Sequence, residues 1–194
     1  MKIYVAEILG TFILTFSVIL SLNGLFPVPT PVIAGLALGL GVYTLGSVSG
    51  AHFNPAITLG ALSIGKISTK DALLYIASQL IGAAGAAELA RRIIIERQVL
   101  LITESNLVML AEMLGALILA LGVAAVIFGR VTQGASGLVI GGALLLGISI
   151  AAVASNGVLN PAVALGIGSF SFSYLFGPIV GAMLGMLLYK NLTQ

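Results

Sequence analysis

Two tripeptides carry the chemistry of this sequence, Asn54-Pro55-Ala56 and Asn160-Pro161-Ala162. Asparagine is a strong helix N-cap, and proline is favoured at the first helical position. Each tripeptide therefore reads as a helix start. A helix start presents unpaired N–H groups and the positive end of the helix dipole. The asparagine amide adds an NH2 donor. Such a place welcomes the oxygen of a neutral molecule and repels a cation. Covalent chemistry has little support: cysteine is absent and His52 is the single histidine. One histidine also falls short of a histidine-built metal site. No catalytic residue, metal or cofactor is expected.

The apolar stretches that open with these tripeptides, 54–64 and 160–169, are too short to cross a bilayer. At about 1.5 Å per residue they reach roughly half of a ~30 Å hydrocarbon core. They read as re-entrant half-helices and must be held by longer elements. Six segments have the length and apolarity of spanning helices: 3–22, 32–49, 71–91, 107–128, 136–155 and 173–189. Lys2 followed by an apolar run resembles a secretory leader. Glu7 interrupts that run and five more spans follow, so a retained helix is expected.

Composition agrees. Of 194 residues, 59% are hydrophobic and 7% charged, against about 25% charged in a soluble domain. Mean hydropathy is +1.20. Eight basic and 6 acidic residues cannot cover a soluble globule of this size. Soluble enzymes, nucleic-acid binders and disulfide scaffolds are excluded, and no nucleic-acid partner is expected. The long apolar runs favour helices over a β-barrel, whose strands alternate in short segments. The 25 glycines suit close helix packing in a lipid bilayer. The expected fold is a single all-α membrane domain over 1–194.

The chain also repeats itself. Ala6-Glu7-Ile8-Leu9-Gly10 matches Ala111-Glu112-Met113-Leu114-Gly115. The two Asn-Pro-Ala motifs match at the same spacing to within one residue, as do Gly35 and Gly141, Gly41 and Gly147, Ser49 and Ser155, and Gly60 and Gly166. The halves, about 1–92 and 106–194, each hold three spans and one short segment. Three is odd, so the second half enters the membrane inverted. An inverted repeat places its site at the midplane between the halves. Both helix starts then aim at one point, with Asn54 and Asn160 facing each other across a pore. A water held by both asparagines donates its hydrogens outward, which opposes a continuous proton wire.

With the N-terminus inside, Lys2, Lys66, Lys70, Arg130 and Lys190 are cytoplasmic. Arg91, Arg92 and Arg97 fall outside, beside Glu88, Glu96 and Glu104. This weak positive-inside bias predicts a cell-membrane protein with both termini in the cytoplasm. The connection 93–105 is partly apolar and is expected to lie across the outer face.

At these residues the sequence resembles the aquaporin family, the major intrinsic proteins. Gly50-Ala51-His52-Phe53-Asn54-Pro55-Ala56-Ile57-Thr58 is close to the family's first signature, and Asn160-Pro161-Ala162 is similar to its second. Glu7 and Glu112 sit where the family has a glutamate in the first helix of each half. Gln79 fits its third helix, and Gly177-Pro178 with Gly181-Ala182 its sixth. The resemblance implies six helices and two half-helices, a tetramer with one pore per subunit, and passage of water or small neutral solutes such as glycerol or urea. It also implies that Glu7 and Glu112 accept hydrogen bonds from re-entrant loop backbone. His52 is read as a loop-bracing hydrogen-bonder.

One departure matters. The family usually has arginine directly after the second motif, and here that position is Val163. Counted from the asparagines, the other positions of the outer ring fall on Ala34, Ile148 and Gly157. This ring has no charge, aromatic or side-chain donor. It is expected to be wide and apolar, to select weakly by size and to let solutes larger than water pass. The aspartate usual beyond the second motif in the glycerol-conducting branch is also missing from Val163-Ala164-Leu165-Gly166. Arg91 or Arg92 swinging in as a substitute is disfavoured, since basic residues near helix ends snorkel to headgroups. Small residues in Gly35-x-x-x-Gly39, at 82–87 and in Gly181-x-x-x-Gly185 suit a homotetramer.

Two rival classes remain. Gly134-Ala135-Ser136-Gly137 matches the Gly-x-Ser-Gly of rhomboid intramembrane proteases, but His52 lies upstream of it, on the wrong side in chain order. An ion- or proton-coupled transporter also uses inverted repeats and broken helices. Coupling needs ionisable groups at the midplane, and Glu7 and Glu112 are the only candidates.

Overall fold

The computed structural model describes residues 1–95, 98, 100, 101 and 104–193. Among them are eight α-helices in two runs of the same order, two long, one short and one long. The first run is α1 (Lys2–Leu22), α2 (Thr30–Ser49), α3 (Pro55–Ser63) and α4 (Thr69–Ile93). The second is α5 (Asn106–Ile127), α6 (Ser136–Ala151), α7 (Pro161–Ile167) and α8 (Phe172–Thr193). The six long helices are long and apolar enough to cross a membrane.

The helix starts follow local chemistry. Ser68 and Ser105 cap α4 and α5 by accepting from Asp71 N and Val108 N. Asn54 and Asn160 cap α3 and α7. The ends were less legible. The segment expected to run over 136–155 stops at Ala151, because the chain beyond it bonds elsewhere: the Ser155 hydroxyl and the N–H groups of Val158 and Leu159 go to Glu112. Helix α8 runs on past residue 189 to Thr193 with Pro178 inside it.

Helix α1 packs on α4, α5 on α8, and α2 on α6. Glycine sets the close approaches. A Cβ on Gly35 would meet the Gly141 carbonyl at 2.7 Å, and one on Gly39 the Gly137 carbonyl at 2.7 Å. Gly82 lies against the Ile8 carbonyl, and a Cβ on Gly185 would meet the Leu117 carbonyl at 2.7 Å. The small residues of these three stripes, which permit close helix approach, serve contacts within the chain.

One end of the bundle holds both termini. The other, the loop end, holds the turns after α1, α4, α6 and α7. At the loop end Arg91 and Arg92 both bind Glu88, at 2.8 and 2.9 Å, with exposed side chains. Glu96 and Arg97 lie outside the described residues. The described part of the long connection is tied down across this end. Gln98 N donates to Asn23 Oδ1 at 2.9 Å, the Leu101 carbonyl accepts from Asn156 Nδ2 at 3.2 Å, and Glu104 accepts from the Ser173 hydroxyl at 2.6 Å.

Candidate functional site

The centre is built twice, by equivalent residues. Asn54 Oδ1 accepts from Ala56 N at 2.8 Å, and Asn160 Oδ1 from Ala162 N at 3.0 Å and Val163 N at 3.3 Å. Capping fixes each amide oxygen toward its own helix and turns each NH2 away from it. Asn54 Nδ2 then donates to the Leu159 carbonyl and Asn160 Nδ2 to the Phe53 carbonyl, both at 2.9 Å. Each amide keeps one further hydrogen. Both asparagines are 3% exposed and line one cavity, so the two helix starts meet at a single place. Pro55 and Pro161 occupy the first helical positions, and Ala56 and Ala162 are fully buried beside them.

Phe53 and Leu159, the residues before the asparagines, were not singled out from sequence. Their φ angles are +48° and +56°, the left-handed region that a branched or bulky residue avoids. Such strain persists only where the surroundings over-determine it. Here a buried glutamate holds each N–H: Phe53 N donates to Glu7 Oε2 at 2.8 Å, Leu159 N to Glu112 Oε2 at 2.7 Å. The opposite asparagine holds each carbonyl. The side chains fill notches left by glycine: the Phe53 ring lies against Gly10 and Gly41, and Leu159 against Gly115 and Gly147. The matching glycines were visible in the repeat, but their purpose was not.

Glu7 and Glu112 are fully buried. Glu7 also accepts from the Ser49 hydroxyl at 2.7 Å, His52 N at 3.0 Å and Gln79 Nε2 at 2.8 Å. Glu112 accepts from the Ser155 hydroxyl at 2.7 Å and Val158 N at 2.9 Å. Buried carboxylates need such partners. Gln79 reaches Thr58 as well, at 2.9 Å. His52 Nδ1 lies 3.1 Å from Thr58 Oγ1. The Thr58 hydrogen is used on the Asn54 carbonyl at 3.0 Å, which assigns the donor role in this pair to Nδ1. Ser136 donates to Gln133 O at 2.8 Å, so the two protease-like residues have separate partners.

A sequence model of the family described as major intrinsic protein matches residues 1–189. The chain belongs to the major intrinsic protein family. It is 30% identical to a probable aquaporin NIP7-1 of Arabidopsis thaliana over 212 residues, covering 100% of this chain and 77% of that relative. It is 29% identical to aquaporin AqpM of Methanothermobacter thermautotrophicus, covering 98% and 96%. The fold is that of the aquaglyceroporin from Plasmodium falciparum, with TM-score 0.77, 23% identity and coverage of 97% and 95%. This major intrinsic protein is a multi-pass membrane protein and a channel, not an enzyme.

Two cavities of this major intrinsic protein meet at Asn160, with Leu14 and Leu144 also common to both. The loop-end cavity has a volume of about 210 Å³ and is lined by Ala34, Ile148, Gly157 and Val163 together with Asn160. The four positions counted out for the outer ring thus share one space. Sequence reading missed most of the remaining wall, Leu14, Val18 and Asn156 among it. Leu14 and Val18 stand one turn apart on α1, a signal available in the apolar period. Asn156 lies in a loop and gives no such signal. Arg91 and Arg92 are not among the lining residues, being held by Glu88. The second cavity runs from the asparagines toward the terminal end and has a volume of about 10 Å³.

Proposed function

We propose that the chain conducts water and small neutral solutes passively through the path between Asn54 and Asn160, as one channel domain over 1–194 with halves 1–92 and 106–194. The crossed asparagine bonds support this reading. They fix two helix starts at one point, so a permeating oxygen meets two amide donors and two positive dipole ends. The same point disfavours cations. Ala34, Ile148, Gly157 and Val163 form the outer ring, and Glu7, Glu112, His52 and Gln79 brace the loops. The protein sits in the cell membrane as a homotetramer with both termini cytoplasmic.

The coupled-transporter reading loses its candidates. Glu7 and Glu112 point their oxygens at loop N–H groups and hydroxyls, and neither lines the two central cavities. The protease reading ends with the family. The test is stopped-flow shrinkage of proteoliposomes under sucrose, glycerol and urea gradients. Water flux well above that of empty vesicles, following the osmotic gradient alone, is expected. Flux that needs an ion gradient overturns the reading.

A further inference from the structure

The two cavities along the path differ sharply in volume. The loop-end cavity measures about 210 Å³, while the space on the terminal side of the asparagines measures about 10 Å³. A single water needs roughly 10–15 Å³ of such volume. The two spaces are stacked on the same helix faces at one-turn steps. On α2, Ala34 lines the wide part and Leu38 the narrow part. On α6, Ile148 lines the wide part, Leu144 both, and Ile140 the narrow part.

The reason for the difference lies in side-chain size. Ala34, Gly157 and Val163 leave the wide part open. Leu38, Ile57, Leu119, Val123 and Ile140 crowd the narrow part, all 8% exposed or less. They come from α2, α3, α5 and α6, so they surround the path on several sides. None has a donor or acceptor in its side chain, and the polar side chains lining this space are those of His52, Asn54 and Asn160.

From this geometry we propose that solute size is selected by an apolar collar of Leu38, Ile57, Val123 and Ile140 on the terminal side of the asparagines, not by the ring at the loop end. The proposal rests on the channel reading above and locates its filter. An apolar constriction discriminates by dewetting and by fit. Water passes it in single file. Urea or glycerol enters the wide cavity but then meets a neck whose four collar side chains replace none of its hydrogen bonds. The ring is open, as its residues predict, yet that openness does not by itself admit larger solutes through the whole channel.

The experiment uses full-length protein in proteoliposomes, with water, urea and glycerol permeabilities measured for Ile140→Ala, Val123→Ala and Ile57→Val. Ile148→Ala in the ring and Leu138→Ala on the outward side of α6, away from the path, where Leu138 is 73% exposed, serve as comparisons. Detergent-purified variants are checked for a single elution peak and unchanged helix content, and three collar variants keep the test alive if one misfolds. The collar variants should raise the urea-to-water ratio roughly tenfold, the discrimination that one or two methylenes give in an apolar site. Ile148→Ala should leave the ratio within about twofold, since the ring is not the narrow point. Leu138→Ala should change no flux. Folded collar variants with wild-type ratios, or a ratio that moves with Ile148→Ala instead, overturn the proposal while leaving the channel reading intact. Vesicles with wild type and collar variants that shrink no faster than empty ones remove the channel reading itself, and the collar with it.

Discussion

Asn54 and Asn160 are joined by a pair of crossed hydrogen bonds that neither makes to the other. Each amide nitrogen reaches the carbonyl of the residue preceding its counterpart, Leu159 for Asn54 and Phe53 for Asn160, at 2.9 Å. The bonds splice the two re-entrant loops into one unit at the centre. They also leave each asparagine a single hydrogen for a permeating molecule.

Replacing Asn160 with aspartate separates the two roles. The carboxylate still caps α7 through Ala162 N, but it cannot donate to Phe53 O and adds a negative charge. Asn160→Asp should therefore raise cation conductance in planar bilayers or ion-loaded vesicles while retaining the fold. Asn160→Ala should instead lose the cap and the crossed bond, lowering stability by about 1–3 kcal/mol. An Asn160→Asp channel as tight to sodium as the wild type would count against electrostatic exclusion at the centre.

Glu7→Gln and Glu112→Gln test the loop brace. Each carboxylate accepts from three or more groups, and an amide replaces one accepting oxygen with a donor. At least one buried donor is then left facing another. A loss of about 1–3 kcal/mol is expected for each, read as a lower unfolding temperature in detergent. Water flux should fall with it, because the strained Phe53 or Leu159 loses its hold. A variant with wild-type melting and flux would show that the brace is dispensable.

Gly35→Ala tests the α2–α6 contact. The new Cβ would meet the Gly141 carbonyl at 2.7 Å, and a backbone atom cannot swing aside as a side chain can. The helices must separate, at a cost of about 1–3 kcal/mol. Because Ala34 is the adjacent residue and lines the wide cavity, permeability should shift too. Thermal unfolding and stopped-flow on the same preparation check both.

Val163→Arg puts a long cation into the wide cavity, where the described lining residues hold no carboxylate to pair with it. Combined with Ile140→Ala, which opens the collar to larger solutes, it should lower urea and glycerol flux more than water flux, and residual cation leak should decrease. Parallel stopped-flow and conductance measurements decide it. Water and urea fluxes both unchanged would mean that the side chain leaves the cavity.

Composition and motif settled much of this protein before any coordinates. So few charges in so apolar a chain force a membrane solution, and helices are the spanning elements whose backbone bonds close within one segment. Asn-Pro at two matched places marks two helix starts, because capping is a local property of two or three residues. Counting from the asparagines picked out Ala34, Ile148, Gly157 and Val163, and these four residues line one cavity.

Other features depend on contacts between distant parts of the chain. The strain at Phe53 and Leu159 is invisible in sequence, because it exists only while Glu7, Glu112 and the opposite asparagines hold it. The small-residue stripes permit close helix approach, and packing uses them within one chain. Sequence identifies that glycine lets helices approach, but not which helix approaches. The widths of the two halves of the path were likewise decided in the tertiary structure. Ala34 and Leu38 stand one turn apart on α2, and only the placement of α3, α5 and α6 around Leu38 turns an ordinary apolar helix face into the narrow end of a channel.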